Sequence, residues 1–140
     1  GTWVGVGALR AKLTDALGGY ARDAVIVGEG EDWLGALLVP FRPAIEKLVP
    51  GGEAMADADL FTHPTLSAEL AKRLAAYNAT ATGSSLRVPR VMMMVDPLSI
   101  DRGEVTDKGS VNQRAVRAHR GDLVAAIYAG DARVIESGKA

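Results

Sequence analysis

The 140-residue sequence has no cysteine, no basic block and no apolar run long enough to cross a bilayer, and each absence removes a class of function. Without cysteine there is no disulfide framework and no thiolate metal site, a usage that fits a reducing compartment and makes the cytoplasm the expected location. The 16 Lys+Arg residues are scattered and nearly balance 17 Asp+Glu, for a net charge of −1. A nucleic-acid binder needs clustered cations to displace counterions from phosphates, so no nucleic-acid partner is expected. The apolar stretches Val91-Met-Met-Met-Val95 and Leu37-Leu-Val39 have the lengths of buried strands. A membrane span needs ~20 apolar residues, so no membrane partner is expected either. The start, Gly1-Thr-Trp-Val-Gly-Val-Gly7, has neither the basic, apolar pattern of a secretory signal nor an initiator methionine, and reads as a cut end.

Several catalytic motifs are missing too. There is no G-x-x-x-x-G-K-S/T loop, and Gly28-Glu-Gly-Glu-Asp-Trp33 has Trp33 where a dinucleotide loop has its third glycine, with a strand rather than a helix after it. Gly5-Val-Gly7 fails in the same way at Arg10, so the chain carries no phosphate cradle of its own. His63 and His119 have no His or Cys partner at ligand spacing, which leaves surface or capping roles and no expected metal site. Ser84 and Ser85 are not in a nucleophile-elbow context.

What is present is a hydrophobic content of 48%, enough for one core, and the expected organisation is a single domain over residues 1–140. Leu9, Leu13, Ala16 and Leu17 fall on one helical face that stops at Gly18-Gly19. Asp23 to Val27 and Leu34 to Pro40 read as two antiparallel strands, Pro43 to Leu48 as a short helix and residues 50–59 as a surface loop. Pro64 opens a long helix along Leu66, Leu70, Leu74 and Tyr77, and Arg87 to Val95 reads as a strand buried on both faces, with Met92, Met93 and Met94 as core filler. Ser110 and Gln113 form a capping box before a last helix along Val111, Ala115, Val116, Leu123 and Ile127, and residues 136–140 read as a frayed tail. The expected class is α+β, a small and mostly antiparallel sheet covered by helices.

Two segments stand out as sites. In Gly103-Glu-Val-Thr-Asp-Lys-Gly-Ser110 a lysine, Lys108, is presented on a loop just before a helix. Taken alone it is a solvated loop lysine. Gly1-Thr-Trp-Val4 taken alone is an edge strand with Trp3 on a core or interface.

These segments, in this order, resemble the C-terminal domain of the adenylate-forming acyl-CoA synthetase (ANL) superfamily, and most closely its feruloyl-CoA synthetase group. The resemblance rests on Gly1-Thr-Trp-Val-Gly-Val-Gly-Ala-Leu-Arg10, Ala81-Thr-Gly-Ser-Ser85, Pro97-Leu-Ser-Ile-Asp101 and above all Gly103-Glu-Val-Thr-Asp-Lys-Gly-Ser-Val-Asn-Gln-Arg-Ala-Val116, and it covers nearly the whole chain. It implies a two-step, AMP-forming ligase using ATP, with its Mg2+, and CoA on a small carboxylic acid, an aromatic acid such as ferulate being the closest. The N-terminal domain of the same chain would hold the phosphate loop and the acyl pocket, and this domain alone would be inert. Lys108 matches the family's adenylation lysine, and Gly1, Thr2 and Trp3 match the path of the CoA pantetheine arm after domain rotation. Thr106-Asp-Lys108-Gly109 replaces the Thr-Gly-Lys context of most relatives, and Arg114 follows at a longer interval. Lys12, Lys47, Lys72 and Lys139 have no motif around them. Two alternatives stay open: the adenylating part of a carrier-protein ligase or carboxylic acid reductase, and a non-catalytic interaction domain of the same fold.

Overall fold

The first helix, α1 (Val6–Ala16), turns Leu9 and Leu13 inward, with Leu17 completing the buried row. Gly18 follows at φ +80°, a left-handed conformation that ends the helix at little cost because glycine has no Cβ to clash. The computed structural model describes residues 6–81 and 87–137, so Gly1, Thr2, Trp3, Ser84 and Ser85 lie outside the described residues.

The strand β1 (Ala21–Val27) pairs antiparallel with β2 (Gly35–Pro40), which pairs in parallel with β3 (Arg90–Met93). A two-residue strand, β4 (Ile135–Glu136), pairs antiparallel with β3 and completes a sheet of order β1-β2-β3-β4. Two of the three pairings are antiparallel, as expected. The parallel one follows from the helical excursion between β2 and β3, which returns the chain in the same direction.

Alternation along β3 divides the interior. Val91 and Met93 enter one apolar cluster and Met92 and Met94 the other, so the methionines are core on both faces, as their sequence context suggests. The first face is covered by α1, α2 (Arg42–Leu48) and α4 (Pro64–Thr80), through Leu13, Ile45, Leu66, Leu70 and Leu74. The second is covered by α5 (Gln113–His119) and α6 (Gly121–Ala129), through Val116, Ala126 and Ile127.

The structure corrects several local expectations. Residues 50–59 are not a plain loop. They hold a 3-10 turn, Gly52–Ala54, and the start of α3 (Asp57–Leu60), gathered by Arg42, which donates to Glu46 Oε2, Asp57 Oδ1 and Met55 O at 2.6 Å each. His63 does cap α4, its Nδ1 accepting from the Thr65 N–H at 3.1 Å. The last helix is two, divided at Arg120 with φ −116° and ψ 40°. The cap of α5 is Asn112, whose Oδ1 accepts from the Ala115 N–H at 3.1 Å, rather than a Ser110–Gln113 box. Gln113 instead serves the free edge of β1, donating to Ala24 O at 2.9 Å and accepting from the Ile26 N–H at 3.0 Å. Glu136, expected in a frayed tail, is in β4, and the Ser137 N–H reaches Pro89 O at 2.9 Å.

Candidate functional site

Lys108 stands at the tip of a small hairpin closed by the antiparallel bridge Val105↔Val111. The Thr106 N–H donates to Ser110 O, and the Gly109 N–H back to Thr106 O, at 2.9 Å each. Thr106 Oγ1 accepts from the Ser110 N–H at 3.0 Å, so this one threonine holds both limbs. Gly109 takes φ +87°, the left-handed step that closes a three-residue hairpin loop and that a side chain at this position would oppose. Asp107 and Lys108 are left exposed at the apex. Among the described residues Lys108 has no ion-pair partner, so its ammonium points its charge into solvent. A buried or ion-paired lysine would have counted against a catalytic role; this one is neither.

The hairpin's root is as constrained as its tip is open. The Asn112 N–H donates to Glu104 O at 2.9 Å and the Glu104 N–H to Ser99 O at 3.0 Å. Glu104 is a charged residue with only 1% of its surface exposed. Its carboxylate is held by Arg120, through Nε to Oε2 at 2.9 Å and Nη2 to Oε1 at 3.0 Å, and by the Ser99 N–H at 3.0 Å. The same guanidinium donates to Asp96 O at 2.8 Å and Pro97 O at 2.9 Å. The Arg120 hydrogen bonds draw the Glu104 carboxyl below its ordinary range against the upward push of burial, and in return raise the Arg120 guanidinium. From the other side, Arg22 Nη1 on β1 reaches Gly109 O at 3.2 Å, and Val111 sinks into the second apolar cluster.

Sequence reasoning singles out Lys108 as a candidate but gives no role to Glu104, Arg120 or Arg22, and assigns Gln113 to a capping box it does not form. A buried carboxylate leaves no local signal when its partner is 16 residues away, and Gln113 finds its acceptor 89 residues back in the chain. Beside the root lies a polar cavity of about 530 Å³ whose walls mix Asp96, Glu104 and Asp122 with Arg102, His119 and Arg120. Charges of both signs there cancel, so it is no phosphate cradle. Among the described residues no group of His, Asp or Glu is placed to hold a metal ion.

Comparison with known proteins places this architecture. No curated protein matches the sequence. The fold is similar to the adenylation domain of a carboxylic acid reductase from Segniliparus rugosus in complex with AMP and a co-purified carboxylic acid, with TM-score 0.60 and 22% identity, over 93% of this chain and 19% of that one. It is likewise similar to the didomain of that organism's reductase solved with AMP, with TM-score 0.57 and 22% identity, over 86% of this chain and 16% of that one. The adenylation domain of a Mycobacterium chelonae carboxylate reductase gives TM-score 0.57 and 21% identity, over 90% and 18%. The chain thus spans less than a fifth of each of those chains. Residues 11–132, which include the whole Lys108 hairpin and its Glu104–Arg120 root, match the AMP-binding enzyme C-terminal domain, and the chain belongs to that family.

Proposed function

We propose that this chain serves as the C-terminal domain of a larger AMP-forming enzyme, and that Lys108 is the catalytic lysine of its adenylation step. The partner in this reading is an N-terminal domain of the same chain, which holds ATP and a small carboxylic acid. A substrate carboxylate oxygen attacks the α-phosphorus, the bond to the β-phosphate oxygen breaks, and pyrophosphate leaves with its electron pair, giving an acyl-adenylate. Negative charge gathers between carboxylate and α-phosphate as the bonds exchange. The Lys108 ammonium, a compact point charge on a flexible stem, stabilises it there without giving up a proton. The observation that carries the reading is the presentation of Lys108: exposed, without an ion-pair partner among the described residues, on a hairpin tip whose root is stapled. In this reading Mg2+ comes with ATP on the partner domain, as the sequence resemblance implies.

The acyl group then passes to a thiol, which displaces AMP. In the CoA-ligase form of the reading, the domain rotates and Gly1, Thr2 and Trp3 line the pantetheine arm, with an aromatic acid such as ferulate as substrate; the support is the sequence resemblance at those residues. A tethered carrier thiol is the second form, favoured by the likeness of the fold to carboxylic acid reductase adenylation domains. Supplying CoA or a loaded carrier protein to the presynthesised adenylate decides between them.

The test of Lys108 is its replacement by alanine in the full-length enzyme. Adenylation, read as acid-dependent pyrophosphate exchange into ATP, falls by ~100-fold or more, the scale seen when one charge-stabilising donor is removed. Thiolysis of presynthesised adenylate survives. If both half-reactions continue unchanged, the assignment is wrong and a non-catalytic interaction domain is the better description.

A further inference from the structure

The one deeply buried carboxylate among the described residues, Glu104, lies four positions from Lys108 in sequence and has no part in the reaction just described. Its cost needs a reason. Burying an ion pair is on average no better for stability than packing apolar side chains in the same volume. What a forked pair supplies that apolar packing does not is direction, since two parallel N–H···O bonds fix both planes.

Arg120 uses that geometry fully. Its Nε, Nη1 and Nη2 meet four acceptors in two separate pieces of chain: the carbonyls of Asp96 and Pro97 beyond β3, and both carboxylate oxygens of Glu104 at the hairpin root. Arg120 itself sits at the break between α5 and α6, where a continuous helix would have carried its side chain elsewhere. Glu104 accepts from the Ser99 N–H with the same carboxylate and closes the hairpin with its own carbonyl, through the Asn112 N–H. Side chain and backbone of one residue therefore tie the base of the Lys108 hairpin to β3's exit and to the helix junction. Among the described residues the tip has only the Arg22 hydrogen bond, at 3.2 Å, as a further tether to the sheet.

We infer that Glu104 and Arg120 are positioning residues for Lys108: they touch no substrate, but set the direction in which the hairpin carries the ammonium toward the reacting phosphate. The inference rests on the proposed role of Lys108. Charge stabilisation in a transition state is steeply sensitive to placement, and a displacement of ~1 Å can cost ~100-fold in rate.

The experiment is a double-mutant cycle in the full-length enzyme with Glu104→Gln and Lys108→Ala, following both half-reactions. Glu104→Gln keeps the size and one acceptor but loses the fork. It is expected to lower kcat for adenylation by ~10–100-fold, as removal of orienting partners does elsewhere, with KM for ATP and acid nearly unchanged. Thiolysis of presynthesised adenylate is retained. In the Lys108→Ala background the same substitution produces no further loss, because there is no ammonium left to misplace. Arg120→Lys keeps the charge without the fork and reproduces the pattern more weakly; it is also the variant to use if Glu104→Gln does not fold. A loss shared by both half-reactions, a loss that persists undiminished in the Lys108→Ala background, or an unchanged adenylation kcat overturns the inference. Failure of the underlying reading looks different: Lys108→Ala alone then leaves adenylation intact.

Discussion

On one face of the sheet Leu13, Leu17, Leu38, Leu66, Leu70 and Leu74 are fully buried against one another. On the other face α5 and α6 bring only Val116, Ala126 and Ile127 into the buried cluster, and much of the remaining attachment is polar. Gln113 and Arg117 bond the backbone of β1, Arg90 donates to Ile127 O at 2.8 Å, the Tyr128 hydroxyl donates to Trp33 O at 2.8 Å, and Arg120 grips Glu104. Burial has driven the Tyr128 hydroxyl up to about 12, so it remains a donor at any ordinary pH. Apolar burial is non-directional and stabilises in proportion to area; hydrogen-bonded forks add little net stability and much orientation. The face that carries the Lys108 hairpin is thus the one whose parts are aimed, and the opposite face is the one that keeps the domain folded.

The largest effect expected from breaking that contrast is on the apolar face. Leu70→Ala in α4 removes a side chain with no exposed surface and should cost ~3 kcal/mol, within the usual 2–5 for such truncations, read by urea denaturation. The Lys108 hairpin lies across the sheet from it, so on the proposed reading pyrophosphate exchange by the full-length protein that remains folded should be nearly unchanged.

Acid is the corresponding probe of the polar face. Because Arg120 draws the folded-state pKa of Glu104 below its unfolded value of ~4.3, the folded state is favoured by this group above ~pH 4.3. That contribution is lost as pH falls through the lowered folded pKa. Glu104→Gln should therefore flatten the acid limb of stability against pH, while Leu70→Ala shifts the whole curve down in parallel. Two curves that both shift in parallel would show that folding leaves the pKa of this carboxyl unchanged.

A third substitution asks whether a polar clamp is confined to one face. Asn78, near the end of α4, is buried and makes a reciprocal pair with Val88, donating from Nδ2 to the carbonyl at 2.9 Å and accepting from the N–H at 2.8 Å. Asn78→Ala strands both backbone groups and should cost ~2 kcal/mol, less than Leu70→Ala, by the same denaturation.

The two faces also differed in how far the sequence disclosed them. Leu9 and Leu13 in α1 with Leu17 just after it, and Leu66, Leu70 and Leu74 in α4, repeat at helical spacing, and burial follows that spacing residue for residue. A period is a local property, so the chain announces it. The division at Arg120 is not local: Val116, Leu123 and Ile127 continue one stripe across it, and only the acceptors at Glu104, Asp96 and Pro97 explain why the helix breaks there. Ser110 and Gln113 had the spacing of a capping box, yet the free edge of β1 offered Gln113 a better use and Asn112 took the cap. The parallel β2–β3 pairing and the two residues of β4 have no pattern short enough to read. Of the candidate site, the loop that presents Lys108 was legible because turn residues surround it, while the role proposed for the lysine came from the resemblance alone. The loop's supports were not legible, because each is a contact between distant segments.

Gln113 gives the smallest and most local test. Its amide occupies the place of a neighbouring strand along β1, giving to Ala24 O and receiving from the Ile26 N–H. Unpaired strand edges invite association with other chains, and an amide that pairs like a backbone closes this one at a single point. Gln113→Ala removes both bonds at a half-buried position where water can replace them, so the cost should be only ~1 kcal/mol. Hydrogen exchange should register it first at the Ile26 amide, whose protection falls while that of Leu70 in α4 does not. An equal fall at both amides would mean that the two faces unfold as one unit, and that the polar face has no looseness of its own from which a positioned hairpin could be displaced.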